Sequence, residues 1–259
     1  MKHVLFRGID VVSATSDEIV ARILEANATQ RPLVISFVNP HSFNLLDGAA
    51  GRGMRSDLDR MDIVLADGIG VVWAIRLLLH ERIQRLSFDL LAEPLFAALE
   101  QCGATIALVG GREGVARSAG AKLRRDHPSL RIQQVSHGYL TEQTITELGR
   151  SIGRAGIDCI LIGAGAPMQE RLAIELSRRA PHAVICTCGG YFDQVILPRP
   201  YYPAWAYPLR MNWVVRLAKE PRRLWRRYLL GNPRFVAASI TWRLLGDRHS
   251  GGTGRMRRD

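Results

Sequence analysis

An aspartate stands where an apolar run gives way to glycine. In VLADGIGVVWAIR, Val64 to Arg76, Asp67 follows MDIVLA and precedes Gly68 and the helical pattern IGVVWAIRLLL. Ligands of open parallel α/β sheets bind at the carboxyl ends of strands, so a carboxylate at this βα junction is placed to act as a general base at the mouth of a site. It is equally suited to satisfy a turn and the helix amides behind it. Three further strand-end stretches are rich in glycine: GGREG from Gly110, SHGY from Ser136 and GAGAPMQE from Gly163. Glycine lets backbone amides approach a phosphate, and the N-terminus of a following helix favours negative charge. None of the three reads GxGxxG, and no GxxxxGKS/T occurs, which argues against a nicotinamide site and a P-loop.

In GAPMQE, Pro167 opens a helix with Gln169 and Glu170 in its first turn. Glu170 is accounted for by the helix dipole alone. Gln169 is not, and its amide offers a donor and an acceptor to a sugar or a base. The acidic triplet DLD, Asp57 to Asp59, matches a motif with which metal-dependent sugar-nucleotide enzymes hold a divalent ion. Its setting, GRGMRSDLDRMD, is polar and helix-like rather than the end of a buried strand, so no metal site is expected. His41, His127 and His137 lack ligand spacing, although His41 and His137 fall at strand ends. The cysteines Cys102, Cys159, Cys186 and Cys188 show no CxxC or Cys/His zinc pattern and read as reduced residues of a cytosolic protein.

The elements that position these residues follow from hydrophobic periodicity. Leu33–Val38, Asp62–Ala66, Thr105–Gly110, Leu130–Ser136, Asp158–Gly163 and Ala183–Cys188 read as strands, alternating with amphipathic helices such as Gly114–Arg125 and Pro167–Arg179. The fold class is an α/β, Rossmann-like parallel-sheet sandwich. The opening MKHVLFRGIDVV is too short an apolar segment for a signal peptide, and no run of about 20 apolar residues is present to span a membrane. Charge is divided sharply. Residues 1–198 balance 21 Lys/Arg against 21 Asp/Glu, whereas 199–259 carry 14 against 3, so the whole excess of +11 lies in the last quarter with four of the five tryptophans. This places an α/β domain at 1–198, a basic, aromatic-rich helical appendage at 199–247 and a disordered tail at 248–259. In EPRRLWRRYLLG, Pro221 opens a helix that sets Arg222 with Arg226, Arg223 with Arg227 and Trp225 with Leu229 at i,i+4. Arginines beside aromatics and leucines suit an anionic membrane interface. Binding of nucleic acid by the same Arg/Trp cluster, on a non-catalytic α/β domain, is the alternative.

The blocks FVNPHSFNLL, LADGIGVVWAIR, ALVGGREGVA, HGYL, LIGAGAPMQE, CTCGGYFDQ and RMNWVVRLAKEPRRLWRRYL occur in the order seen in WecG/TagA/CpsF glycosyltransferases, which this chain resembles over nearly its whole length. The resemblance implies transfer of a sugar from a UDP-sugar to a polyprenyl-diphosphate-linked acceptor, with inversion and without a bound metal or cofactor, in bacterial surface polysaccharide synthesis. It implies Asp67 as the base and Asn39, Arg85 and Gln169 as substrate-binding residues. The glycine-rich loops add Gly110, Gly111, Gly138, Tyr139, Gly165 and Glu170 to that set. Arg216, Arg222, Arg223, Trp225, Arg226 and Arg227 are then expected against membrane or diphosphate. The location implied is the inner face of the cytoplasmic membrane, with no nucleic-acid partner. LSFDLL, Leu86 to Leu91, stands where many members have an Asn-Gly-Thr-Asp-like block, leaving Asp89. Arg210-Met211-Asn212-Trp213, after YYPAW, replaces Gly-hydrophobic-Glu-Trp. The YYP form resembles the exopolysaccharide branch, and the donor sugar is of the N-acetylmannosamine or the glucose/uronate type.

Overall fold

Strands of a parallel sheet covered on both faces are apolar along their whole length, which is how five of the six strands read from the sequence were legible. In the structure, a computed structural model describing residues 1–49, 51–197, 201–206, 208–209 and 211–245, the strands are β1 (Lys2–Phe6), β2 (Ile9–Ser13), β3 (Leu33–Val38), β4 (Ile63–Ala66), β5 (Thr105–Gly110), β6 (Arg131–Ser136), β7 (Cys159–Gly163) and β8 (Val184–Thr187). The helices are α1 (Ser16–Thr29), α2 (Pro40–Leu46), α3 (Gly51–Leu58), α4 (Ile69–Leu79), α5 (Phe88–Gln101), α6 (Val115–Asp126), α7 (Glu142–Ala155), α8 (Met168–Ser177), α9 (Tyr191–Val195), α10 (Asn212–Lys219), α11 (Pro221–Trp225) and α12 (Gly231–Leu244). Among the described residues the strands form one sheet in the order β1-β2-β4-β3-β8-β7-β5-β6. It is the α/β sandwich expected from the sequence. Only β1 and β2 pair antiparallel, from Lys2 opposite Ser13 to Phe6 opposite Ile9. Arg7 and Gly8 turn this unanticipated hairpin with φ of 50° and 76°, the sign that two-residue hairpin loops require.

Alternate residues of the central strands feed two cores. Val34 and Val38 of β3, Val64 and Ala66 of β4, and Ile160 and Ile162 of β7 pack with α2, α3, α4, α7, α8 and α12. Leu33, Ile35, Phe37, Leu65, Leu161 and Cys186 pack with α1, α5, α6 and α9. The first helices after β3, β4 and β7 therefore cover one face, and α5 with the helices following β5 and β8 covers the other. Where neighbouring strands send their chains to opposite faces, a crevice opens at their carboxyl ends.

The boundary near Pro198 is one of composition and not of packing. Phe235 of α12 is 1% exposed, with its ring 5.7 Å from Phe43 of α2 and 6.3 Å from Phe6 of the hairpin. Trp242 meets Phe6 edge-on at 5.5 Å. Arg7 donates to both Asp47 carboxylate oxygens at 2.6 Å and to Ser239 at 3.4 Å, while its guanidinium lies over Phe43 and Phe235. Asn44 donates to the Gly231 carbonyl at 2.7 Å, and Arg243 to that of Leu78 at 2.9 Å. The C-terminal helix thus completes the core around the hairpin instead of standing beside a finished body. Residues 198–199 and the tail 248–259 lie outside the described residues. No helix among the described residues is long and apolar enough to cross a membrane.

Candidate active site

The carboxyl ends of β3, β4, β5, β7 and β8 open into a cleft of about 1680 Å³ that the C-terminal helices wall on the far side. Asp67 stands on its lining directly after β4, with its N–H donating to the Val38 carbonyl at 2.8 Å, so the ends of β3 and β4 stay in register up to the site. Gly68 follows with φ 87°, a conformation that carries the chain from strand to α4 and that a side chain resists. The Leu86 N–H donates to the Ala66 carbonyl at 3.1 Å, which draws the segment before α5 against β4. This brings Arg85, Ser87 and Asp89 onto the same wall.

The charges converge on Asp67. Burial pushes its carboxyl above the ordinary 3.8 and the neighbouring Asp89 adds to this, while Arg216, Arg227 and Arg85 work in the opposite direction. Arg216 is pulled the complementary way: burial opposes its charge, but Tyr228, Tyr202 and Asp67 more than offset that, and its pKa is raised. Burial also pushes the Tyr202 hydroxyl up, so it stays protonated. His41 is lowered to about 4 by burial and then by Arg227, and is therefore a neutral imidazole on the cleft wall at neutral pH.

The glycine loops are joined edge to edge. The Gly111 N–H donates to the Gly163 carbonyl and the Gly138 N–H to the Gly111 carbonyl, each at 2.9 Å. Gly111, Gly138, Gly165 and the exposed Tyr139 line the cleft. Gly110 does not; a Cβ there would meet the Gly163 backbone at 2.5 Å, so its role is to let the β5 and β7 ends close. Asn39 lines the cleft but spends its side-chain oxygen as the N-cap of α2, accepting from the His41 and Ser42 amides at 3.0 and 3.2 Å. Its amide nitrogen remains as the group to offer a ligand.

Gln169 lines the cleft and is 5% exposed, whereas Glu170 is fully buried behind it. A helix dipole alone does not account for Glu170: it hydrogen-bonds Gln169 at 2.9 Å and Ser36 at 3.4 Å, in a polar cluster between α8 and the sheet. Arg216, Arg226 and Arg227 line the cleft; Arg222 and Trp225 are exposed and off its wall, and the Arg223 side chain lies outside the described residues. The helix expected from Pro221 is present, but Arg226–Leu230 widens into a π-helical turn before α12, which alters the predicted i,i+4 pairing. Asp57 lies in α3, off the cleft, with its pKa raised by burial and opposed by Arg60 and Arg171. Among the described residues no group of three or more His, Cys, Asp or Glu side chains is placed to hold a metal ion. Asp89, Tyr202 and Asn212 were visible in the sequence without a role, because only the tertiary fold brings them to the cleft wall.

The model of the Glycosyl transferase WecG/TagA/CpsF family matches residues 4–249. Among curated relatives, the UDP-Gal:alpha-D-GlcNAc-diphosphoundecaprenol beta-1,4-galactosyltransferase of Shigella boydii is 26% identical over 216 residues, 82% of this chain and 87% of that protein. The N-acetylglucosaminyldiphosphoundecaprenol N-acetyl-beta-D-mannosaminyltransferase of Bacillus subtilis (strain 168) is 30% identical over 197 residues, 76% of this chain and 75% of that protein.

Proposed function

The chain belongs to the WecG/TagA/CpsF family of glycosyltransferases, and from that premise we propose that it moves a hexose from a UDP-sugar to a hydroxyl of an undecaprenyl-diphosphate-linked saccharide, with inversion, in exopolysaccharide or other surface polysaccharide synthesis. The observation that carries this reading is the carboxylate of Asp67, half-buried after the end of β4 beside Asp89 and within the influence of Arg85, Arg216 and Arg227. Asp67 accepts the proton of the acceptor hydroxyl as its oxygen attacks the anomeric carbon, and the bond from that carbon to the UDP oxygen breaks. UDP leaves with the bonding electrons, and its diphosphate is stabilised by the three guanidiniums and by amides of the glycine loops. Arginines supply the positive charge that a divalent ion supplies elsewhere, so the proposed reaction is metal-independent. The names of both relatives specify an N-acetylglucosaminyl diphosphoundecaprenol acceptor, which supports a lipid-linked saccharide here. Exposed Arg222, Trp225, Leu229 and Leu230 then face the anionic bilayer that holds it.

A thermal-shift panel of UDP, UDP-glucose, UDP-galactose and UDP-N-acetylmannosamine identifies the donor, since a ligand of the native state raises its apparent stability. With that donor, Asp67→Asn is expected to lower kcat by about 10² to 10⁴ while leaving UDP binding intact, and wild-type turnover to survive EDTA. Near-normal turnover in a folded Asp67→Asn protein refutes the assignment.

A further inference from the structure

Behind the cleft wall, α8, β3 and β8 enclose a polar cluster. Glu170, Ser36 and Thr187 are each 0% exposed and Gln169 is 5% exposed. The Gln169 Nε2 donates to Glu170 Oε1 at 2.9 Å, the Ser36 hydroxyl reaches the same oxygen at 3.4 Å, and the Ser36 and Thr187 hydroxyls are 3.0 Å apart. The donor end of the Gln169 amide is thus spent inward. Its acceptor end is left over: Oε1 is buried and has no hydrogen-bond partner among the described residues, although Gln169 is on the cleft lining. A buried carbonyl without a donor carries a cost that a ligand able to donate would relieve.

We propose that Glu170 is a positioning residue which, by accepting the Gln169 amide N–H, turns the Gln169 carbonyl oxygen toward the cleft as the acceptor for a hydroxyl or imide N–H of the bound sugar nucleotide, and which releases that hold when it takes up a proton. The nature of the ligand rests on the reading above; the amide's orientation does not. Ionised Glu170 only accepts, so it selects the amide nitrogen; protonated Glu170 carries an O–H donor beside its remaining acceptor oxygen, so that selection is relaxed and the amide is free to turn its NH₂ to the cleft. The switch falls in an accessible range, because burial pushes the carboxyl up to about 7 against the hydrogen bonds from Gln169 and Ser36, with Asp57 of α3 adding to the rise. The groups facing it are Gln169 from α8, Ser36 from β3, which in turn contacts Thr187 of β8, and the more distant carboxylate of Asp57.

The test follows the Gln169 side-chain NH₂ signals by NMR on uniformly ¹⁵N-labelled protein without ligand, assigned by their loss in Gln169→Glu. Between pH 5.5 and 8.5 they are expected to move with a midpoint near the Glu170 value in the wild type and to stay still in Glu170→Gln. Ser36→Ala, which removes a donor that favours the ionised form, is expected to shift the midpoint upward and keeps the test open if Glu170→Gln fails to fold. At pH 8, Glu170→Gln is expected to bind UDP-galactose or UDP-N-acetylmannosamine, whichever the wild type binds, about three- to tenfold more weakly, the range of one lost hydrogen bond. Wild-type signals that ignore pH, or undiminished affinity in a folded Glu170→Gln protein, overturn the proposal. A wild type that binds neither UDP-sugar nor UDP refutes the sugar-nucleotide reading instead, while the amide titration still decides the role of Glu170.

Discussion

Replacing Asp89 with asparagine and Arg216 with glutamine should move the acid limb of the pH–rate profile in opposite directions. A general base works ionised, so kcat/KM falls as pH drops through the folded-state pKa of Asp67, which burial and Asp89 hold above the ordinary 3.8. Asp89→Asn removes a charge that raises this pKa; Arg216→Gln removes one that lowers it. For charges on the order of 7 Å apart in a partly wet cleft of effective dielectric about 40, the interaction is about 1 kcal/mol. That corresponds to somewhat less than one pKa unit. The limb is therefore expected to fall by about half to one unit in Asp89→Asn and to rise by a similar amount in Arg216→Gln. The assay is kcat/KM with the identified donor from pH 4 to 9 at constant ionic strength, with a thermal melt at each pH to show that the protein is folded. Arg216→Gln also weakens the diphosphate site, which lowers the height of the profile, so the midpoint alone is the reading. A midpoint that stays put in both variants, or moves the same way in both, removes Asp67 as the titrating base.

Three further expectations follow from packing and burial. Phe235→Ala should cost about 3–5 kcal/mol, the range for truncating a fully buried aromatic, and a chain ending at residue 198 should fail to melt cooperatively because it uncovers Phe6 and Phe43; a soluble fragment with a sharp transition by calorimetry would contradict this. Glu170 binds its proton more tightly folded than unfolded, at about 7 against an ordinary 4.5, so its contribution to stability is full below about pH 4.5 and is lost as pH rises through about 7. Denaturant titrations at pH 4.5 and 8 should show the wild type losing up to about 3 kcal/mol relative to Glu170→Gln, and parallel behaviour of the two proteins would show that the folded state bears no such burial cost.

What was legible in the sequence divides by the range of the interactions involved. Five of the six strands read from the sequence declare themselves because each is wanted apolar by two cores at once, as in LVISFV, where all six residues are buried, whereas the edge strand RIQQVS buries only Ile132 fully. The hairpin is harder to read: in KHVLF only Val4 and Phe6 are buried, and five residues of alternation carry little signal without knowledge of what covers them. Asp67 was readable as a βα junction, but the convergence of Asp89 and the arginines on it depends on the tertiary fold. Glu170 shows the opposite failure. The first-turn rule explains an acid at that position so well that nothing in the local sequence calls for more, and its partner Ser36 lies on a strand far away along the chain.

The division of charge was read correctly as a number and only partly as an architecture. Residues 1–198 place glycines, Asn39, Gln169 and the three carboxylates Asp67, Asp89 and Asp193 around the cleft but contribute few cations there, Arg85 and Arg112, whereas Arg216, Arg226, Arg227 and Arg234 reach the lining from the C-terminal quarter. A segment whose task is to bring positive charge to a cleft has to be held against the body, since guanidiniums on a loose arm lose most of their effect to water and salt. Four arginines crowded together also repel one another, so the segment needs an anchor that does not depend on charge. α12 meets that need: its exposed side carries Val236, Ile240 and Leu244, and its buried side carries Phe235 and Ser239 into the Phe6, Arg7 and Phe43 cluster. On the proposed function, the composition changes near Pro198 because the chemistry required of the chain changes there, and the hydrophobic core continues because that chemistry is useful only from a fixed position.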